Sequence, residues 1–226
     1  MDQNFSSKKL EQMTKRRYDG RFSKNGKSAK SLGWQNRKSQ RIRFSNLIKL
    51  IEGHSLNWKS CSILDFGCGM GDLLNELRQV GFYGKYTGVD LCENFISIAL
   101  KKYEKDENSS FIIGGVDSLM ELPRHDITTL IGCINYDYGE LNNSRYLKKM
   151  IDALHAKTKE LILFDFISTV QLDSVYVDSW VKTWMKDEIS ELLNSRFQLE
   201  FYEVHGSIPL REIQCKCVVY DDNIRS

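Results

Sequence analysis

Residues 65–72 read Asp65-Phe66-Gly67-Cys68-Gly69-Met70-Gly71-Asp72, three glycines at alternate positions between two carboxylates. Glycine lets the backbone turn sharply and lets a ligand approach the main chain closely. A loop of the form Gly-x-Gly-x-x-Gly would seat a pyrophosphate on a helix N-terminus. Here the third glycine position of that pattern falls on Asp72. Two carboxylates beside the turn repel a pyrophosphate and suit a ligand carrying an ammonium and a sulfonium.

The loop needs a strand before it and a helix after it, and both are legible. Residues 61–66 form an apolar run, and Leu73, Leu74, Leu77 and Val80 recur at a helical period. The alternation continues along the chain. Strands are expected at 85–90, 111–113, 126–134 and 160–167. Helices are expected at 93–103, with Phe95, Ile96, Ala99 and Tyr103 on one face, and around Leu147, Ile151 and Leu154. A further helix is expected to carry Trp180, Trp184, Ile189, Leu192 and Leu193. The last two strands, 199–205 and 213–220, are joined by a short loop containing Pro209. Strands alternating with helices imply a parallel, doubly wound sheet. A connection as short as that final one cannot make a parallel crossover, so the last strand is expected to be antiparallel. Before the first strand, 41–52 reads as a helix with Phe44, Leu47, Ile48 and Ile51 on one face, and 20–33 as a loop.

Ile63-Leu64-Asp65-Phe66-Gly67-Cys68-Gly69-Met70-Gly71 resembles motif I of the class I S-adenosylmethionine-dependent methyltransferases. The charge argument also favours S-adenosylmethionine over NAD. The resemblance covers roughly residues 58–222. It implies an α/β, Rossmann-like sheet of seven strands, mostly parallel and doubly wound, with an antiparallel last strand and an N-terminal helical cap. The expected division is a basic cap or lid at 1–57, a cofactor-binding domain at 58–222 and a tail at 223–226.

By the same resemblance, Asp65, Gly67, Gly69 and Gly71 floor the methionine part of the cofactor. Gly88-Val89-Asp90 is similar to motif II, in which the acid accepts bonds from both ribose hydroxyls and Leu91 packs on the adenine. The alternative for Asp90 is a helix cap. Gly115-Val116-Asp117-Ser118-Leu119 resembles the segment that meets the adenine amino group, and Asp117 could equally cap the following short helix. Cys133 and Ile134 are expected to touch the cofactor through their backbone, with Asn135 to Tyr138 facing the methyl acceptor: Asn135 and Tyr138 as binding residues, Tyr136 as a catalytic candidate. The lead segment, with Tyr18, Gly33-Trp34, Gln40 and Arg43-Phe44, resembles that of bacterial small-molecule methyltransferases. It implies a lid in which Arg43 grips the methionine carboxylate and Tyr18, Trp34 and Gln40 close the pocket, although Trp34 could simply pack.

Methyl transfer from a sulfonium is an in-line displacement that chiefly needs alignment and exclusion of water. If a base is used, His205, at the end of the sixth expected strand, is a candidate beside Tyr136. His54, His125 and His155 read as structural. Cys215 and Cys217 share one face of a strand and read as packing groups, so no metal is expected. No Gly-x-Ser-x-Gly elbow is present.

Charge is segregated. Residues 1–49 hold 14 Lys/Arg and 3 Asp/Glu, whereas 50–226 hold 18 and 27. A lead segment this basic faces an anion: a phosphorylated or sugar-nucleotide acceptor, a natural-product intermediate, an RNA, or the acidic remainder of the chain. In the RNA alternative Lys8, Lys9, Lys15, Arg16 and Arg17 contact phosphates while Tyr18 and Phe22 stack. A non-catalytic scaffold is a third reading, and an NAD-dependent oxidoreductase the last. At 226 residues, with 41% hydrophobic and 27% charged, the chain reads as a globular protein of one full domain. No apolar run reaches the roughly 18 residues of a membrane span. Six scattered cysteines and a polar N-terminus without a secretory signal point to a reduced, cytoplasmic protein, a monomer or homodimer.

Overall fold

The computed structural model describes residues 5–54, 57–168, 180–193, 197–204 and 212–219, with the side chains of 140 and 141 left aside. Seven strands form one sheet in the order β3-β2-β1-β4-β5-β7-β6. They are β1 (Ile63–Phe66), β2 (Tyr86–Asp90), β3 (Ser109–Ile113), β4 (His125–Leu130), β5 (Thr158–Ile167), β6 (Phe197–Glu203) and β7 (Glu212–Val219). The first five pair in parallel. β7 inserts between β5 and β6 and runs antiparallel to both, as the short final connection requires. β1 is central and buried at every residue. Continuous burial on both faces explains why it is apolar except for Asp65, whose carboxylate is hydrogen-bonded.

Six helices are described: α1 (Ser7–Asn25), α2 (Arg37–Glu52), α3 (Asp72–Gln79), α4 (Glu93–Lys102), α5 (Glu140–Lys157) and α6 (Lys186–Leu193). α3 buries Leu73, Leu74 and Leu77, and α4 buries Phe95, Ile96 and Ala99. α2 opens on a capping box: the Asn36 side chain accepts from Ser39 N at 2.9 Å, and Ser39 Oγ accepts from Asn36 N. It buries Phe44, Leu47, Ile48 and Ile51 against the α3 side of the sheet.

Two expectations are corrected. The stretch read as a loop from Gly20 onward begins as helix: α1 runs through Gly20 and ends at Asn25, capped by Gly26 at φ 57. One glycine inside a helix costs only about 1 kcal/mol. Tyr18 and Phe22, on either side of it, pack edge-on against Phe95 at 6.3 and 5.8 Å and hold the helix down. The helix expected from Trp180 onward starts only at Lys186. Residues 180–184 are instead joined to the loop after β4 and the end of β5. Asp137 N donates to Trp180 O, Lys182 N to Asn135 O, and Trp184 N to Ile167 O. The buried Trp184 ring donates through Nε1 to Ile134 O at 3.0 Å. Tertiary hydrogen bonds thus override the apolar spacing. Pro209, the end of the sixth expected strand and the tail 223–226 lie outside the described residues.

Candidate active site

A cleft of about 980 Å³ opens at the carboxyl ends of β1, β2, β4 and β5, under α1 and the start of α2. Open α/β sheets place ligands at this edge. The glycine loop forms its floor. Gly67, Gly69 and Gly71 adopt φ 81, 56 and 71. A Cβ on Gly67 would lie 2.2 Å from Cys133 Sγ, and one on Gly69 would lie 2.6 Å from Leu32 of the lead segment. Glycine is therefore required twice over, for the turn and for the approach of neighbouring chain. Gly67 and Cys68 donate their N–H groups to Val89 O at 2.7 and 3.1 Å, tying the loop to β2.

Asp90 ends β2 and organises the loop. One carboxylate oxygen accepts from Gly69 N and the other from Cys92 N, each at 2.9 Å. The cap of α4 is Cys92, so Asp90 is not a helix cap. It lines the cleft, where burial raises its pKa. Asp65 sits beneath the loop, accepting from the Tyr86 hydroxyl and from Thr129 Oγ1 at 2.7 Å. Burial pushes its carboxyl up to about 6 against these two donors. Asp72, at the start of α3, accepts from Gln40 Nε2 at 3.1 Å and Lys102 Nζ at 3.3 Å. Gln40 thus ties α2 to the glycine loop.

Most of the residues singled out in the sequence come together here. Tyr18, Trp34, Gln40, Arg43, Asp65, Gly67, Gly69, Asp90, Leu91, Cys133, Asn135, Tyr136 and Tyr138 all line the cleft. Gly71 lies just behind, as the cap of α3. Trp34 stands edge-on to Phe44 at 5.8 Å, with the Arg43 guanidinium 4.6 Å from its ring centre. Asn135 receives Ile167 N on its side-chain oxygen at 3.0 Å, and the Tyr138 hydroxyl meets Thr14 Oγ1. His205 lies outside the described residues.

Three expectations are corrected. Asp117 and Ser118 do not face the cleft. The tight turn 116–121 carries the exposed Asp117 toward α5, where Lys149 Nζ lies 2.9 Å away, and Ser118 Oγ donates to Gly115 O at 2.7 Å. Asp117 makes no capping bond either. Glu11 of α1 serves this turn instead, accepting from Val116 N at 2.9 Å and the Tyr146 hydroxyl at 3.2 Å. The third correction is Arg43. Its guanidinium is buried between Asp165, at 2.7 Å, and Glu212, so its charge is already matched and its expected grip on a free carboxylate is not formed. Gly132 N, at 2.6 Å, also donates to Asp165.

The other histidines are structural. His125 is buried with Nε2 2.9 Å from Thr87 Oγ1, and burial lowers its pKa. His54 approaches Glu160 at 3.4 Å, and His155 stands edge-on to Phe197. Cys215 and Cys217 lie buried in the core with sulfurs 3.7 Å apart. Among the described residues no group of three or more His, Cys, Asp or Glu could hold a metal, and no helix is long and apolar enough to cross a membrane.

Sequence reasoning missed Glu11, Asp165, Trp180 and Glu212 as members of this region. All four come from segments distant in sequence from the glycine loop, and none belongs to a local motif.

Residues 63–157 match the family model of a methyltransferase domain. The chain is 33% identical over 130 residues to a protein of Geobacillus sp. (strain WCH70) provisionally named a methyltransferase, covering 57% of this chain and 51% of that one. It is 28% identical over 133 residues to the mitochondrial ubiquinone biosynthesis O-methyltransferase of Candida albicans, covering 57% and 37%. The chain spans about half the length, or less, of these two curated relatives. The fold is similar to that of the N-methyltransferase NodS from Bradyrhizobium japonicum WM9, solved with S-adenosyl-L-homocysteine. That match has a TM-score of 0.69 at 12% identity and covers 92% of this chain and 99% of that one. It is also similar to magnesium protoporphyrin IX methyltransferase from Synechocystis PCC 6803 with bound SAM, with a TM-score of 0.64 at 15% identity over 81% of each chain.

Proposed function

We propose that this chain carries a class I S-adenosylmethionine-dependent methyltransferase domain, which binds S-adenosylmethionine in the cleft and methylates a small-molecule acceptor. The observation that carries the proposal is the Asp90–glycine loop unit. Asp90 gives one lone pair of each oxygen to a backbone amide, and a carboxylate has roughly four such sites. The remaining pairs suit two ribose hydroxyls. Gly67 and Gly69 keep the floor free of side chains, and Asp65 and Asp72 place negative charge beside a cationic ligand. A cleft of about 980 Å³ fits a ligand of this size beside a small acceptor.

Bound there, the cofactor supplies an electrophilic methyl on a good leaving group. The chain supplies position and dryness. Asp90 orients the ribose, Leu91 and Gly114 border the adenine side, and Trp34, Leu32 and Tyr18 cover the cleft from the lead segment. Asn135, Tyr136 and Tyr138, after β4, form the acceptor side. Thr14 Oγ1 donates to Leu10 O, so the Tyr138 hydroxyl donates to Thr14 and leaves its oxygen lone pairs toward the acceptor side. The surplus of positive charge before residue 50 supports an acidic acceptor. Against an RNA acceptor, the Phe22 and Tyr18 rings offered for stacking pack on Phe95. Unpaired cysteines support a reducing, cytoplasmic location.

Calorimetry with S-adenosylmethionine and S-adenosylhomocysteine tests the proposal. Asp90→Asn keeps an acceptor for one amide and removes charge, so binding is expected to weaken about tenfold or more. Absence of binding to folded wild-type protein would overturn the proposal.

A further inference from the structure

The charge of the cleft is divided. Over the β1–β2 side lie Asp65, Asp72 and Asp90; over the β4–β5 side, facing Tyr136 and Trp180, lie Arg17 and Arg21 of α1. These arginines are one helical turn apart and half-buried. The Arg17 guanidinium lies over the Trp180 ring, 3.5 Å from its centre, and 5.1 Å from that of Tyr136. Arg21 lies 5.2 Å from the Trp180 centre and uses one nitrogen on Lys30 O at 3.1 Å. Among the described residues neither forms an ion pair, in contrast to Arg43, Arg41 and Lys15 of the same lead segment. Burial and the neighbouring Arg21 charge both work against the charge on Arg17. Two like charges held together at the wall of a cleft, with no carboxylate paired to them among the described residues, form a receptor for an anion. Their planar donors suit carboxylate or phosphate oxygens, and the aromatic faces restrict where the guanidinium groups can turn.

We infer that Arg17 and Arg21, seated on Trp180, form a subsite for a carboxylate or phosphate group of the methyl acceptor. The inference rests on the methyltransferase reading and deepens it. The acceptor rather than the cofactor is assigned because the pair lies over the β4–β5 end, beside Asn135 and Tyr136. The hydroxyl-binding Asp90 is on the opposite side of β1. The tyrosines beyond the arginines offer an apolar wall to the body of the acceptor: Tyr136 and Tyr138 lie 4.6 Å apart between ring centres. Arg17 and Arg21 are thereby specificity-determining residues, selecting acidic over neutral acceptors.

The test uses the full chain saturated with S-adenosylhomocysteine, titrated calorimetrically with benzoate, phenyl phosphate and neutral benzamide. Wild type is expected to bind at least one of the two anions and to bind benzamide more weakly. The Arg17→Gln/Arg21→Gln variant is expected to lose about tenfold or more in anion affinity while keeping its S-adenosylhomocysteine affinity. Arg21→Gln alone is expected to fall between the two, and it remains informative if the double variant does not fold. Failure of wild type to bind S-adenosylhomocysteine would sink the methyltransferase reading itself. With that binding intact, four results would overturn the subsite: no anion binds, benzamide binds equally well, anion affinity ignores the arginines, or their loss weakens S-adenosylhomocysteine. The last would assign them to the cofactor's own carboxylate. Displacement of phenyl phosphate by a short single-stranded RNA that binds more tightly would likewise overturn the small-molecule form.

Discussion

The Arg43 guanidinium lies 2.7 Å from the Asp165 carboxylate, joining helix α2 to strand β5 across 122 residues of sequence. Glu212 of β7 completes the group, and Gln214 Nε2 donates to Arg43 O at 2.8 Å. The lead segment is therefore fastened to the sheet by a buried ionic cluster in the wall of the cleft.

Removing one member of a buried ion group leaves the others uncompensated. Arg43→Ala is expected to cost about 3–5 kcal/mol, seen as a large drop in the denaturation midpoint. Adding Glu212→Gln to Arg43→Ala removes one stranded charge and is expected to recover part of the loss. Equal stability of wild type and Arg43→Ala would show that the cluster does not fasten α2.

Gly20 makes the opposite prediction. It lies inside α1, and a Cβ there meets nothing within 4 Å. Gly20→Ala is expected to raise stability by about 0.5–1 kcal/mol, because alanine loses less backbone entropy in a helix. Thermal denaturation checks it, and a fall in stability would mean that the helix is interrupted there.

Gly67 is constrained by conformation and by space. Gly67→Ala combines φ 81 with a Cβ 2.2 Å from Cys133 Sγ. The backbone strain alone is about 1–3 kcal/mol, and cofactor affinity is expected to be lost with it. Cys133→Ala added to Gly67→Ala removes the sulfur contact and not the strain, so stability is expected to return only in part. Melting curves of the single and double variants separate the two causes.

Asp65 predicts a pH dependence. Its folded pKa, pushed up to about 6 by burial, exceeds that of an exposed aspartate. The stability it contributes is thus full below the unfolded value near 4 and is lost as pH rises through about 6. The same ionisation places a negative charge beside the cleft, so affinity for the cationic S-adenosylmethionine is expected to strengthen over that rise. Asp65→Asn should flatten both slopes. Calorimetry and melting between about pH 4.5 and 7.5 measure them.

The sequence by itself determined the sheet and the cofactor floor. The short segments 63–66 and 86–90 read as strands from their place in the strand–helix alternation, and the alternate glycines between Asp65 and Asp72 dictate a tight turn open to a ligand. These are local consequences of side-chain period and backbone freedom, so they are legible without neighbours. What α1 does, which carboxylates hold Arg43, where Asp117 points and why Trp180 to Trp184 leaves the helix were decided only by the tertiary structure. Each turns on a partner far along the chain: Phe95 for Tyr18, Asp165 for Arg43, Lys149 for Asp117, Ile134 for Trp184. Burial and charge pairing depend on which surfaces the folded sheet brings together, and residue spacing carries no record of that.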